Sequence, residues 1–180
     1  MRNHRQSDSG RHMVNPSTIG RLAAVAEPRW LNEQEQRAWR GLMAMEESLV
    51  AFIDRRLRTG CGLSHADYQV LAHLSEAPDG RLRSFELGGL LHWEKSRLSQ
   101  HLSRMQTRGL VVRERSQADQ RGAVVTITPQ GLELISAAAR QHVADARDAV
   151  IDQLTQTELK TLATITGKVR RRLATLDPAP

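Results

Sequence analysis

Glu94-Lys-Ser-Arg-Leu-Ser-Gln-His-Leu-Ser-Arg-Met-Gln-Thr-Arg108 is the stretch on which the reading of this 180-residue chain turns. Wound at 100° per residue, Leu98, Leu102 and Met105 fall within about 60° of one another and form an apolar stripe. The opposite face then carries Ser96, Gln100, Ser103 and Thr107, with Arg97 and Arg104 along one flank and Lys95 at the start. No acidic residue occurs between Lys95 and Arg108. Short hydroxyls, an amide and guanidiniums are the groups that contact base edges and phosphates in a major groove. Any amphipathic surface helix has a polar outer face, so the neighbours of this helix must decide.

On its C-terminal side, Gly109 closes the helix, and Leu110–Arg115 and Ala123–Thr128 are two β-prone runs. The polar link Ser116–Gly122 between them makes a hairpin with an exposed tip. On its N-terminal side a short helix is expected, capped by Ser84 and bearing Phe85, Leu87, Leu90 and Leu91. Before that, Pro78-Asp79-Gly80 is a turn. A helix opens at Ser64, with Asp67 three residues on, and carries Tyr68, Val70, Leu71 and Leu74.

Two longer helical segments flank this middle part. The first starts at Asn32, with Glu35 at the third helical position, and runs with apolar residues Trp39, Leu42, Met43, Met45, Leu49, Phe52, Ile53 and Leu57 until Gly60 and Gly62 stop it. The last third of the chain begins a helix at Thr128-Pro129, extends it to about Leu154, and restarts at a capping box of Thr155 and Glu158. That final helix carries Leu159, Leu162, Ile165, Val169 and Leu173 and ends at Asp177-Pro178. The order helix, helix, helix, helix, hairpin, helix, helix predicts a mainly α (α+β) winged helix-turn-helix. The expected layout is a basic tail over 1–29 and a single domain over 30–180. Within that domain lie a winged lobe over 63–128 and dimerisation helices over 32–59 and 129–176. Apolar faces on the flanking helices have too little within one chain to cover them, and mutual burial in a homodimer is the natural solution.

Charge distribution points the same way. The net charge of +6 hides an excess of nine basic over four acidic residues between positions 81 and 121, around the helix and hairpin just described. Clustered cations suit a polyanion, because phosphate neutralisation releases condensed counterions. Double-stranded DNA is therefore the expected partner. No run approaches the roughly 18 apolar residues of a membrane span, and no secretory apolar core is seen, so no membrane association and a cytoplasmic location are expected.

The stretch from Leu63 to Ile135 resembles the MarR (multiple antibiotic resistance regulator) family. The resemblance rests on Leu63-Ser-His-Ala-Asp-Tyr-Gln-Val-Leu-Ala-His-Leu74 and on Leu90 to Val112 with its Arg108-Gly-Leu-Val. It is completed by Asp119-Gln-Arg121 and by Ile127-Thr-Pro-Gln-Gly131. It implies a ligand-responsive, sequence-specific transcriptional repressor, acting as a homodimer that sets two recognition helices into successive major grooves of a pseudo-palindromic operator. It places Ser96, Arg97 and Gln100 at base-facing positions, with Lys95 and Arg104 beside them, and Asp119 and Arg121 in the wing. It implies a small-molecule effector, for which Trp39, Met43 and Tyr68 are the pocket candidates. Gln100 departs from the arginine frequent there and suits adenine.

No phosphate loop, nucleotide fingerprint, zincin motif or nucleophile elbow occurs, so no enzyme and no cofactor are expected. The seven histidines lack i,i+4 ligand spacing and a thiolate partner, and no metal site is expected. Cys61, the sole cysteine, is read as a passive thiol, although Arg55, Arg56 and Arg58 lie close in sequence. Two rival readings use the same fold: a winged-helix module that binds protein, and an architectural protein that binds DNA without sequence preference. The Ser96, Arg97 and Gln100 face favours the regulator over the architectural protein, which has little use for base-edge groups.

Overall fold

A computed structural model of the protein describes residues 29–115 and 123–176. The basic tail, the Ser116–Gly122 tip with Asp119 and Arg121, and the Asp177-Pro178 stop lie outside the described residues. The elements are α1 (Glu33–Cys61), α2 (His65–Glu76), β1 (Arg81–Arg83), α3 (Ser84–Leu91), α4 (Lys95–Thr107), β2 (Val111–Arg115), β3 (Ala123–Ile127), α5 (Pro129–Ala149) and α6 (Gln156–Leu176). This is the expected mainly helical winged helix-turn-helix with flanking helices.

By contact density the chain divides at Arg40 and Gly41. In the first unit, Asn32 Oδ1 accepts from the Glu35 N–H and Glu35 accepts from the Asn32 N–H, each at 2.9 Å. The anticipated cap of α1 therefore forms as a reciprocal pair.

In the second unit, Gly60 lies within α1 rather than ending it, and the chain turns at Gly62, whose φ of +68° suits a residue without a side chain. The N–H groups of Gly62 and Leu63 return to the carbonyls of Arg58 and Leu57, closing the helix end. Ser64 and Asp67 then exchange side-chain and backbone hydrogen bonds of 3.0 and 2.9 Å to start α2. Asp54 of α1 accepts the His65 N–H at 2.8 Å, so the joint between α1 and α2 is tied from both sides.

Three local readings need correction. The start of α3 is satisfied by Glu86, which accepts the Arg83 N–H at 2.9 Å; Ser84 is already the first helical residue and does not cap. The α5 helix stops at Ala149, not near Leu154: Val150 leaves helical geometry (φ −135°, ψ −57°), and Ile151–Gln153 form a single 3₁₀ turn. Gln153 reaches back to the Asp148 carbonyl and Arg147 pairs with Asp152, so side chains take over where apolar periodicity would have continued the helix. Finally, Arg81–Arg83 form a strand that was not anticipated, because three residues are too few for an alternation pattern to register.

That strand completes a three-stranded antiparallel sheet in the order β1-β3-β2. Leu82 pairs opposite Val125, and Arg113 of β2 pairs with the same Val125 from the other side. The sheet closes one end of a core built from Leu63, Val70, Leu71, Leu74, Leu87, Leu102, Met105, Leu110 and Val111, all at most 2% exposed. Thr128 locks α5 to this core: its hydroxyl donates to the Gly109 carbonyl at 2.7 Å and accepts the Gly131 N–H at 3.0 Å. Gly131 is required there, since a methyl group would collide with the Leu110 carbonyl.

Candidate nucleic-acid interface

The α4 helix begins at a non-helical Glu94 and ends where Gly109 (φ +72°) turns the chain, its N–H on the Gln106 carbonyl. Leu98, Leu102 and Met105 are buried as the stripe predicted. Lys95, Ser96, Arg97, Gln100, Ser103, Arg104 and Thr107 are all exposed; all but Lys95, which stands at the helix start, share one acid-free face. Asp119 and Arg121 lie outside the described residues.

The hydroxyls on this surface are partly committed. Ser103 donates to the Ser99 carbonyl at 3.0 Å and Thr107 to the Ser103 carbonyl at 3.1 Å. Their remaining lone pairs are acceptors, so neither hydroxyl has a proton left to give a phosphate.

Residues missed in the sequence stand directly behind and beside this surface. Arg113 shares the face of buried Val111, two residues before it on β2, and therefore points back toward α4, where its Nη1 lies 3.4 Å from the Ser99 carbonyl and 3.5 Å from Ser103 Oγ. The period-2 pattern of the strand carried that signal. Arg97 lays its guanidinium 4.4 Å from the centre of the Trp93 ring, a cation–π contact. Arg104 Nη2 is 3.1 Å from His101 Nδ1.

Beneath them is a buried charge cluster that no local pattern reveals. Asp67 and His101 are 5% and 7% exposed, and His101 Nε2 lies 3.0 Å from Asp67 Oδ1. That approach is short, but the N–H is not aimed squarely at the oxygen. Arg108 Nη1 donates to Asp67 Oδ2 at 2.7 Å, and its Nη2 to the Gly62 carbonyl at 2.8 Å. Burial by itself would raise the Asp67 carboxyl; the close approach of His101 and the hydrogen bonds with Ser64 and Arg108 outweigh it and hold the group far below the usual carboxylate range. A polar cavity of about 430 Å³ opens here, walled by Asp54, Arg58, Asp67, Trp93, Arg97, His101, Arg104 and Arg108.

The effector-pocket candidates are placed differently from one another. Tyr68 is half-buried against the core with its ring centre 4.6 Å from that of His142, whereas Trp39 and Met43 are exposed on α1. Cys61 is half-buried at the end of α1, and its sequence neighbours Arg56 and Arg58 are paired with Asp145 and Asp54. No helix among the described residues is long and apolar enough to cross a membrane. No group of three or more His, Cys, Asp or Glu that could hold a metal occurs among them.

The MarR family profile matches residues 62–122, the span from the α1–α2 joint to the residue before β3. No protein with a curated function matches the chain. Among solved structures, AbsC of Streptomyces coelicolor, a MarR family transcriptional regulator, is 34% identical with a TM-score of 0.77, over 82% of this chain and 99% of its own. Sco3205, another MarR family transcriptional regulator of Streptomyces coelicolor and solved in complex with DNA, is 36% identical with a TM-score of 0.79, over 86% of this chain and 94% of its own. The organohalide-sensing regulator RdhR in its 2,4-dichlorophenol-bound form shares the fold at 16% identity and a TM-score of 0.72, over 86% of this chain and 92% of its own. An acid-free α4 face on a winged lobe, joined to identity of this level across nearly the whole of two regulators, places the chain in the MarR family of transcriptional regulators, which are not enzymes.

Proposed function

We propose that the chain is a homodimeric repressor that binds a pseudo-palindromic operator and is released by a small-molecule effector. The observation that carries the DNA reading is the exposed, acid-free surface of α4, where Ser96, Arg97, Gln100 and Arg104 share one side of a helix anchored by Leu98, Leu102 and Met105, with Lys95 exposed at its start. Lys95 and Arg104 supply phosphate contacts, and Ser96, Arg97 and Gln100 supply base-edge groups. Arg113 extends the cationic surface toward the wing, where Arg121 is proposed to enter the minor groove and Asp119 to hold the wing in shape. A relative at 36% identity was solved with DNA bound, which supports the same reading here.

Dimerisation is supported by α6, which has no buried residue and lines an apolar groove with Ile165, Val169 and Leu173 between Lys168 and Arg172. A second copy of the chain is the proposed cover. The domain of 30–180 is proposed to act as one unit with the flanking helices as its dimer interface. For the effector, Tyr68 beside His142 is the proposed anchor, with Met43 and Trp39 retained as lining residues. Release follows if the effector binds a lobe spacing unsuited to DNA more tightly than the DNA-bound spacing.

Selection of bound sequences from random duplex DNA, followed by affinity measurement at several salt concentrations, tests the proposal. A pseudo-palindromic winner bound far above random DNA is the expected result. Uniform, steeply salt-dependent binding would point instead to an architectural protein, and no binding at moderate salt to a protein-interaction module. Arg121→Ala is expected to weaken the selected duplex by roughly 1–3 kcal/mol; unchanged affinity removes the wing from the interface.

A further inference from the structure

The two arginines on the α4 face are held in place before any ligand arrives. Arg97 lies on the face of Trp93, and Trp93 in turn meets His101 edge-on, with ring centres 5.2 Å apart and planes at 85°. Arg104 Nη2 approaches His101 Nδ1 at 3.1 Å. A guanidinium only donates, so Nδ1 is the bare nitrogen and the ring proton is assigned to Nε2, the atom turned toward the carboxylate of Asp67. Asp67 cannot swing away, because it also accepts from the Ser64 N–H at 2.9 Å and from Arg108 at 2.7 Å. Arg108 is fixed in turn on the Gly62 carbonyl.

The chain of contacts therefore runs from the α1–α2 joint, through a buried carboxylate and imidazole, to two exposed guanidiniums. We propose that Asp67, His101 and Trp93 are positioning residues that present Arg97 and Arg104 to the operator DNA. The inference rests on the reading of α4 as the recognition helix. Asp67 sets the imidazole tautomer, the imidazole gives Arg104 an acceptor, and the indole gives Arg97 a platform. Both side chains then lose little rotamer freedom on binding, which is where preorganisation adds affinity.

A cluster that merely stabilised the lobe would act on all variants alike, and a double-mutant cycle separates the two roles. His101→Gln keeps an amide N–H for Asp67 but removes the acceptor in line with Arg104. It is expected to weaken binding of the selected duplex roughly three- to tenfold, with thermal unfolding unchanged. In an Arg104→Ala background the same replacement is expected to cost less than about twofold. An equal loss in both backgrounds, or no loss in the first, overturns the proposal. Trp93→Leu paired with Arg97→Ala forms a second cycle with the same expectation, and it decides the matter should His101→Gln fail to fold. Arg104→Ala alone reports on the underlying reading: if it binds the duplex as tightly as the parent protein, α4 is not the DNA-contacting helix, and both ideas fall together. If it binds more weakly while both cycles are additive, only the positioning role fails.

Discussion

The winged lobe and the flanking helices are both amphipathic, yet they meet opposite ends. In the lobe, Leu63, Val70, Leu71, Leu74, Leu87, Leu102, Leu110, Val111 and Val125 are almost completely removed from water. In α6 no residue is buried, and Ile165, Val169 and Leu173, one turn apart, remain 54%, 45% and 57% exposed. In α1 only Leu57 is buried. A fully buried leucine contributes roughly 1.5–3 kcal/mol relative to an exposed one, so the lobe carries its own stability while the flanking faces hold theirs in reserve. Apolar rows of this length are normally covered, and the cover proposed above is a second copy of the chain. The lesson is that an apolar stripe says a surface will be buried, but not whether the same chain buries it.

The contrast can be broken most sharply on α6. Leu173→Asp places a carboxylate in the proposed interface twice, once per protomer, and is expected to abolish the dimer at micromolar concentration with little effect on the lobe. Light scattering that still finds a dimer would assign the interface elsewhere. The matching change within the lobe, Leu102→Ala, is expected to cost about 2–5 kcal/mol of folding stability, because the cavity it leaves is walled on all sides. A loss below 1 kcal/mol by urea denaturation would show that the lobe is less tightly packed than its burial implies. Smaller again is Gly131→Ala, where the new methyl group meets the Leu110 carbonyl, a backbone atom that cannot rotate away. About 1–3 kcal/mol is expected, read as a lower melting temperature; an unchanged one means that α5 shifts freely on the lobe.

The smallest effect concerns pH. Burial lowers the native pKa of His65, whose Nδ1 has no hydrogen-bond partner; His142 lowers it further, while Asp54 opposes the shift. An unfolded chain therefore binds the proton more readily. The stability contribution is full above about pH 6.5 and declines as pH falls toward the lowered native value. Urea titrations between pH 7.5 and 5.5 are expected to show this decline, and His65→Gln to flatten it. Equal slopes in parent and variant would assign the dependence to another group.

Much of the interface was legible because its signals are local. The α4 stripe, Gly109, and the caps at Asn32, Ser64, Thr128 and Thr155 each depend on residues within about one helical turn, and all appear as read. Arg113 was legible in principle from strand alternation, but its target on α4 was not. Where two local signals compete, reading failed: Ser84 and Glu86 both suit a helix start, and only the built backbone shows Glu86 satisfying the Arg83 N–H.

What the sequence determined by itself, then, is the order of the helices and the hairpin, the apolar face of each helix and the acid-free character of α4, since periods of 3.6 and 2 and capping chemistry act over a few residues. The tertiary structure alone decided that Arg81–Arg83 become a strand, which exists only because β3 offers it partners. It alone decided that a carboxylate and an imidazole lie buried under α4. Asp67 and Arg108 are 41 residues apart, and nothing short of the packed lobe brings them within 2.7 Å. Charges enter an interior only when their partners are already in place, and that condition is met by packing rather than by any neighbour in the chain.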